Sequence, residues 1–505
     1  MSAHQFQRIL VSRLRFMGDI VLTTPLLRAL RRAFPQARIS YLAEAPFVQV
    51  LAHHPDVNEL IELERQGTLG AQIGLVRSLR CQHFDLAIDL LGNPRSALLL
   101  WLSGAAQRVG FDYRGRRLLY TTVVRREPRP MTAIEFHLQV LGALGLPVAG
   151  MQTCLVTSAE EDHWAKEFLK AKGIAPGERL LVMHPGASWP AKRWFPDRFG
   201  ELARRLVKEL GIRVLITVGP GEEELAQGVA SIAREAIVLG VMPIRHVMAV
   251  VKRAQVLVAN DCGVLHLGPA LGVPTVGVFG PGEPEIWFPY AEEAGHRVVH
   301  KELACSRCHR DFCAELRCME AIQVEDVFSA VVQALAHKQA EMPTIYTIGH
   351  STLSSEEFLA RLRAHGIARV VDVRRFPTSR RYPHFCREEL ASALKGQGID
   401  YRWLGDTLGG FRSGGYEGYM HTAPFLAGLN TLMELARGMP TAVVCSEALF
   451  FRCHRRFIAD ELVRHQWRVL HILDGRRTQE HRLRHETTGH ETNRGVQHDH
   501  AQDSG

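Results

Sequence analysis

Apolar residues along this chain fall into short, β-branched runs separated by longer amphipathic stretches. Residues 8–12 (RILVS) form the first such run; Met17-Gly18-Asp19 follows, where Gly18 predicts a tight turn, and then a helical stretch to about Phe34-Pro35. Residues 37–42 and 84–90 read as further strands. The pattern restarts at 180–186, continues through a helix over 196–210, and predicts strands at 213–218, 255–260 and 274–279. A third restart follows Met342-Pro343, with strands predicted at 344–348, 369–373, 441–444 and 468–473. Strands alternating with helices in this way predict parallel sheets covered on both faces. The expected organisation is an α/β chain with two Rossmann-like domains, 1–165 and 166–338, joined near residues 155–178. A third, smaller α/β domain is expected over 343–474. From 475 to 505 the chain is polar and His-rich without apolar periodicity, which predicts a disordered tail. Two Rossmann-like halves leave a cleft between the C-terminal edges of their sheets.

Composition narrows the class. The chain has 505 residues, 46% hydrophobic and 23% charged, enough for about three cored domains. No apolar run approaches the roughly 18 residues that a membrane-spanning helix needs. Residues 1–5 lead into the first strand without the layout of a signal peptide, so a cytoplasmic protein is expected. The formal net charge is +8, which suits a phosphorylated small molecule, an anionic membrane surface or nucleic acid. Ten cysteines without an export signal predict reduced thiols or a local metal site in preference to a disulfide framework.

Three strand ends carry candidate chemistry. In Met17-Gly18-Asp19, a carboxylate at a helix start is either a cap or, projecting into the cleft, a general base. His184-Pro185-Gly186-Ala187-Ser188 precedes Lys192-Arg193-Trp194, where small residues admit a ligand and Lys192 offers a point charge to phosphate; an ordinary turn with solvated cations would look the same. Asn260-Asp261-Cys262-Gly263 with His266 predicts another strand-to-helix turn. Its free N–H groups could hold an anion, Asp261 could accept from sugar hydroxyls, and His266 is either a site residue or a satisfied core histidine.

Taken together, these motifs and 271–281 (LGVPTVGVFGP) resemble glycosyltransferase family 9, the ADP-heptose:lipopolysaccharide heptosyltransferases, over about residues 7–335. The resemblance implies a GT-B fold, with ADP-heptose as donor and an inverting single displacement onto a lipopolysaccharide inner-core acceptor. It implies Asp19 as the base and Lys192 on the donor diphosphate, with Ser188 close by. Asp261 would hold the heptose, Gly263 and His266 would belong to the same loop, Glu222 would contact the nucleoside, and Met242 would lie near the adenine. Cys262 stands where the family usually has Thr, and a thiol is the weaker hydrogen-bond partner. No Asp-x-Asp motif stands where this mechanism would need one, so no obligatory cofactor or divalent cation is expected. Arg13, Arg15, Arg114, Arg116 and Arg117 could face an anionic acceptor, with the enzyme peripheral at the inner face of the inner membrane. No stable nucleic-acid partner is expected. A competing expectation is a nucleotide-sugar sensor, or a degenerate transferase, whose C-terminal domain supplies a regulated output.

Cys305, Cys308, Cys313 and Cys318 could form a structural zinc site, although pairs of zinc-binding cysteines usually lie further apart. Residues 344–474 resemble the domain of unknown function 488 family on Thr347-Ile348-Gly349-His350-Ser351, Asp372-Val373-Arg374, Cys445-Ser446-Glu447 and Cys453-His454-Arg455, with 410–416 shorter than in many members. Those strand ends define a candidate site of His350, Asp372, Arg374, Cys445, Glu447, Cys453, His454 and Arg455. With Arg380, Arg381 and Arg452 they suggest an anionic ligand. Six residues separate Cys445 from Arg452, against five in cysteine-dependent phosphatases, which argues against that chemistry. The start of a helix beside arginines should lower the Cys453 pKa.

Overall fold

A computed structural model of the chain describes residues 6–113, 115–412 and 414–483. They divide into two compact units, residues 1–341 and 342–505. Arg114, expected near the acceptor, and residues 484–505 of the expected tail lie outside the described residues.

Unit 1 contains two six-stranded parallel sheets. The first comprises β1 (Arg8–Ser12), β2 (Arg38–Glu44), β3 (Glu59–Leu63), β4 (Leu86–Asp89), β5 (Gln107–Phe111) and β6 (Thr122–Val124) in the order 3-2-1-4-5-6. The second comprises β7 (Leu180–His184), β8 (Arg213–Val218), β9 (Ile237–Val241), β10 (Val256–Asn260), β11 (Thr275–Phe279) and β12 (Arg297–His300), ordered 12-11-10-7-8-9. Both follow the doubly wound order, whose switch point lies beside the first strand. The central strands β1, β4, β7, β10 and β11 are almost wholly apolar because helices cover both faces.

Local chemistry explains the helices. Pro196–Leu210 starts on a proline, which has no N–H to leave unpaired, and ends at Gly211 with φ of 62°. Ala159–Ala171 begins with a reciprocal cap between Ser158 and Glu161. One core cluster runs through both halves, from Ile9 and Ile20 to Val182, Met248 and Leu267. Arg245 reinforces it: its buried guanidinium binds both Glu161 oxygens at 2.8 and 2.6 Å and donates to the Val156 carbonyl at 2.9 Å.

Unit 2 has one sheet, built from β13 (Thr344–Gly349), β14 (Arg369–Asp372), β15 (Asp400–Trp403), β16 (Thr441–Cys445), β17 (Arg468–Ile472) and β18 (Thr478–Glu480), ordered 15-14-16-13-17-18. All neighbours are parallel except β18, which runs antiparallel to β17. Here the expectation of disorder from 475 is corrected for residues 475–483. Asp474 accepts from the Arg476 and Arg477 N–H groups at 2.8 Å, closing a turn that returns the chain onto β17. His481 is then buried, its Nε2 bonded to Asp460 at 2.8 Å and its Nδ1 to His471 at 2.9 Å. Polar side chains conceal this strand from a hydrophobicity pattern because histidine and aspartate satisfy one another.

Candidate active site

The first half presents Asp19 at the third position of the helix Met17–Leu22. Its Oδ2 accepts the Phe16 N–H at 3.0 Å and its Oδ1 pairs with Arg13 Nη2 at 2.5 Å. Arg13 is itself anchored through Nη1 to the Leu90 carbonyl at 3.1 Å. The carboxylate therefore does cap its helix, and a guanidinium fixes its position. Arg13, expected to face an acceptor directly, instead holds Asp19.

In the second half, Lys192 Nζ lies 2.6 Å from Asp261 Oδ2 and 4.6 Å above the centre of the Trp189 ring. Asn260, which the sequence reading passed over as a site residue, organises this region. Its Oδ1 accepts the Trp194 N–H at 3.1 Å and its Nδ2 donates to the Pro185 carbonyl at 2.8 Å, tying the 184–188 turn to Lys192-Arg193-Trp194. Only its place at the end of a strand pointed to it.

The halves meet at glycines. A Cβ on Gly18 would stand 2.5 Å from His266 Cδ2, and one on Gly263 would stand 2.9 Å from Met17 Cε. The backbone at the Asp19 helix therefore abuts the 263–266 turn because neither position carries a side chain. His266 Nδ1 bonds Tyr290 at 2.9 Å, and burial pulls the imidazole down to about 4 while Asp261 and Asp19 oppose that shift and Lys192 adds to it. Charges from both halves thus act on one imidazole.

Two expectations are corrected here. Gly18 is helical and permits close approach between the halves; it does not form a turn. Gly263–His266 is a 3-10 turn followed only by the four-residue helix Leu267–Ala270, too short to supply an anion-binding helix start. Cys262 has its thiol pushed up to about 12 by burial, so it remains neutral.

Glu222 lies against Gly186, accepts the Gly219 N–H at 3.0 Å and stands 3.5 Å from His184 Nε2. The Thr217 hydroxyl donates to the Met183 carbonyl at 3.1 Å and so accepts from His184 Nδ1–H at 3.0 Å. Ser188 is exposed and Met242 half-buried on the same sheet edge. Arg15 lies 5.6 Å from the Phe16 ring, Arg116 5.8 Å from that of Tyr113, and Arg117 is exposed.

Cys305, Cys308, Cys313 and Cys318 are free, and no three of them bring their sulfurs within 4.8 Å of one another. The structure does not assemble the zinc site that their spacing allows.

In unit 2 the candidate residues resolve into two neighbouring clusters. Arg374 binds Asp372 twice, at 2.6 and 2.9 Å, and donates to the Phe385 carbonyl at 2.8 Å and to His350 Nε2 at 3.1 Å. Tyr401 adds a 2.8 Å bond to Asp372. Burial, then Arg374, draws His350 down to about 4. Arg455 is likewise buried, donating to Thr347 at 3.2 Å and to the Glu447 and Ala448 carbonyls. Both arginines are buried and bonded within the fold, with only Arg455 Nε left without a partner. Neither is exposed to an anion from solvent, which corrects the expectation that they face one. Arg380, Arg381, Arg452 and the side chain of Glu447 are exposed. The second cluster is Cys445, Cys453 and His454, with His454 Nδ1 at 3.8 and 3.6 Å from the two sulfurs. A hydrogen bond with Cys445, followed by the charge of Arg455, lowers the Cys453 thiol to about 6 against the cost of burial.

Comparison with known proteins agrees with this architecture. Residues 73–318 match the model for glycosyltransferase family 9 (heptosyltransferase), and residues 354–462 match that for domain of unknown function DUF488. Lipopolysaccharide heptosyltransferase 3 of Escherichia coli (strain K12) is 26% identical over 293 residues, covering 55% of this chain and 84% of that protein. Lipopolysaccharide heptosyltransferase 2 of the same strain is 27% identical over 329 residues, 60% of this chain and 93% of its own. The solved glycosyl transferase family 9 protein from Veillonella parvula DSM 2008 superposes with a TM-score of 0.60 at 26% identity, covering 65% of this chain and 97% of that one. E. coli ADP-heptose lps heptosyltransferase II shares the fold, with a TM-score of 0.56 at 23% identity over 66% of this chain and 99% of that chain.

Two doubly wound sheets meeting at a shared polar junction, with these matches, define a GT-B glycosyltransferase. The chain carries a glycosyltransferase family 9 (heptosyltransferase) domain followed by a DUF488 domain.

Proposed function

We propose that unit 1 transfers heptose from ADP-heptose to a hydroxyl of a lipopolysaccharide inner-core acceptor by an inverting single displacement. The observation that carries this reading is the contact of the two halves at Gly18 and His266, which brings the Asp19 helix of one half against the 263–266 turn that follows the Lys192-paired Asp261 of the other. Asp19 takes the acceptor proton as the acceptor oxygen bonds to the anomeric carbon. The bond from that carbon to the diphosphate breaks, and ADP departs with the electron pair. Lys192 leaves Asp261 for the diphosphate as the donor binds, which stabilises the growing charge and frees Asp261 for the sugar hydroxyls. Glu222, Met242 and Ser188 lie on the edge where a nucleotide would seat, beside Cys262 and Gly263.

The acceptor is an anionic glycolipid, and Arg15 and Arg117 support its approach from a membrane surface, with the enzyme at the cytoplasmic face. In unit 2, the exposed Arg380, Arg381 and Arg452 support an anionic ligand of its own. The test is ADP release on incubation with ADP-heptose and deep-rough lipopolysaccharide, beside a panel of other sugar nucleotides. Turnover with ADP-heptose alone is expected. Tight donor binding without ADP release from any acceptor would instead make unit 1 a nucleotide-sugar sensor.

A further inference from the structure

Cys445 ends β16 and Cys453 lies just before the helix Arg455–Arg464, with His454 as its first flanking residue. The parallel pairing of β13 with β16 brings the end of β16 beside Gly349, and the short 3-10 turn Phe450–Arg452 folds the chain back onto it. Three ligand atoms result: two soft sulfurs and the borderline His454 Nδ1, all within 4.8 Å of one another. Both cysteines are free and buried.

The orientation of the imidazole settles what its inner nitrogen offers. His454 Nε2–H donates to the Val373 carbonyl at 3.2 Å, so Nδ1 turns a lone pair toward both sulfurs. An imidazole whose outer N–H is held by a carbonyl is how protein metal sites orient a histidine. Here the carbonyl is itself rigid, because Val373 lies between Asp372 and Arg374, whose bidentate pair is buried. The spacing also fits. Metal–sulfur bonds of about 2.3 Å and metal–nitrogen bonds of about 2.05 Å at tetrahedral angles place sulfur and nitrogen roughly 3.6 Å apart. The observed separations are 3.6 and 3.8 Å. The Arg455 N–H, 3.5 Å from Cys453 Sγ, adds the kind of donor that steadies a thiolate ligand.

We propose that Cys445, Cys453 and His454 of unit 2 form a binding site for a thiophilic metal ion such as zinc. Among the described residues no fourth Cys, His, Asp or Glu joins the set, so one tetrahedral position stays open to water or an exogenous ligand. Gly410 packs against the ligand imidazole: a Cβ there would stand 3.0 Å from His454 Nδ1 and 3.4 Å from its Cγ.

Cobalt(II) added alone to the chelator-treated, reduced full chain provides the test, read by thiolate-to-cobalt charge-transfer and tetrahedral d–d absorption. The chain should carry Cys81→Ser, Cys305→Ser and Cys308→Ser so that the exposed sulfurs of unit 1 do not compete. One equivalent is expected, displaced by zinc, and lost in Cys453→Ser and in His454→Ala. Gly410→Ala keeps every ligand, so it tests the site even where a ligand variant fails to fold. It should weaken cobalt binding by about tenfold or more, the scale of changes around a metal's ligands. No thiolate-to-cobalt band in the reduced chain, a band unchanged in all three variants, or a Cys445–Cys453 disulfide that persists under reduction would overturn the proposal.

Discussion

At the scale of single residues, buried charge and buried imidazoles set the expectations. Asp372 is fully buried and Arg374 nearly so, and neither can be left alone without stranding a charge. Arg374→Leu should therefore destabilise unit 2 by about 3–5 kcal/mol in urea unfolding, as for other broken buried pairs. A change below 1 kcal/mol would restore Arg374 to the list of free anion-binding groups. Burial holds His54, His266 and His296 near 4 and His137 near 3 in unit 1. The unfolded chain takes up protons on these rings near pH 6.5, whereas the folded chain refuses them until about 4. Their stabilisation is thus complete above 6.5 and falls as pH drops toward 4, by about 1.4 kcal/mol per pH unit for each ring. The urea midpoint of unit 1 should be clearly lower at pH 5 than at pH 7.5; equal midpoints would refute this assignment.

Among elements, what the sequence made legible follows burial. The helix Pro196–Leu210 and the strands Arg8–Ser12 and Arg213–Val218 appear with their expected bounds because their apolar periodicity is unbroken. The strands at 59–63, 107–111, 122–124, 237–241, 297–300 and 400–403 went unread, being short and largely peripheral, and all but 122–124 carry charged or glycine positions. Asp19, Lys192 and Asp261 could be picked out since each lies in the segment that follows a strong strand signal, Asp261 directly after β10 and the other two further along. The roles of Arg13, which holds Asp19, and of Asn260, which ties two turns together, required coordinates, because nothing local distinguishes a holding side chain from a solvated one. Two element-level outcomes follow. Gly18→Ala inserts a methyl group where the halves touch, so it should slow ADP release and cost about 1–3 kcal/mol of stability; unaltered turnover would mean the halves need not approach so closely. Ending the chain after Asp474 removes β18 and His481, leaving His471 and Asp460 without their partner. Thermal unfolding of unit 2 should then come earlier by an amount equivalent to about 1–3 kcal/mol, and an unchanged transition would make the hairpin dispensable.

For the molecule as a whole, each unit contains its own core: clusters around Ile9 and around Trp194 in unit 1, and around Phe425 and around Phe358 in unit 2. Residues 1–341 alone should therefore fold with a cooperative transition, detected by circular dichroism. The central claim is that one carboxylate on the first half and one ammonium on the second serve the same reaction. Steady-state ADP release by Asp19→Asn, measured with ADP-heptose and acceptor beside its affinity for ADP, tests this most directly. Turnover should fall by about 10²–10⁴, the usual contribution of a general base, with ADP affinity essentially retained. Undiminished turnover, or an equal loss of ADP affinity, would contradict it.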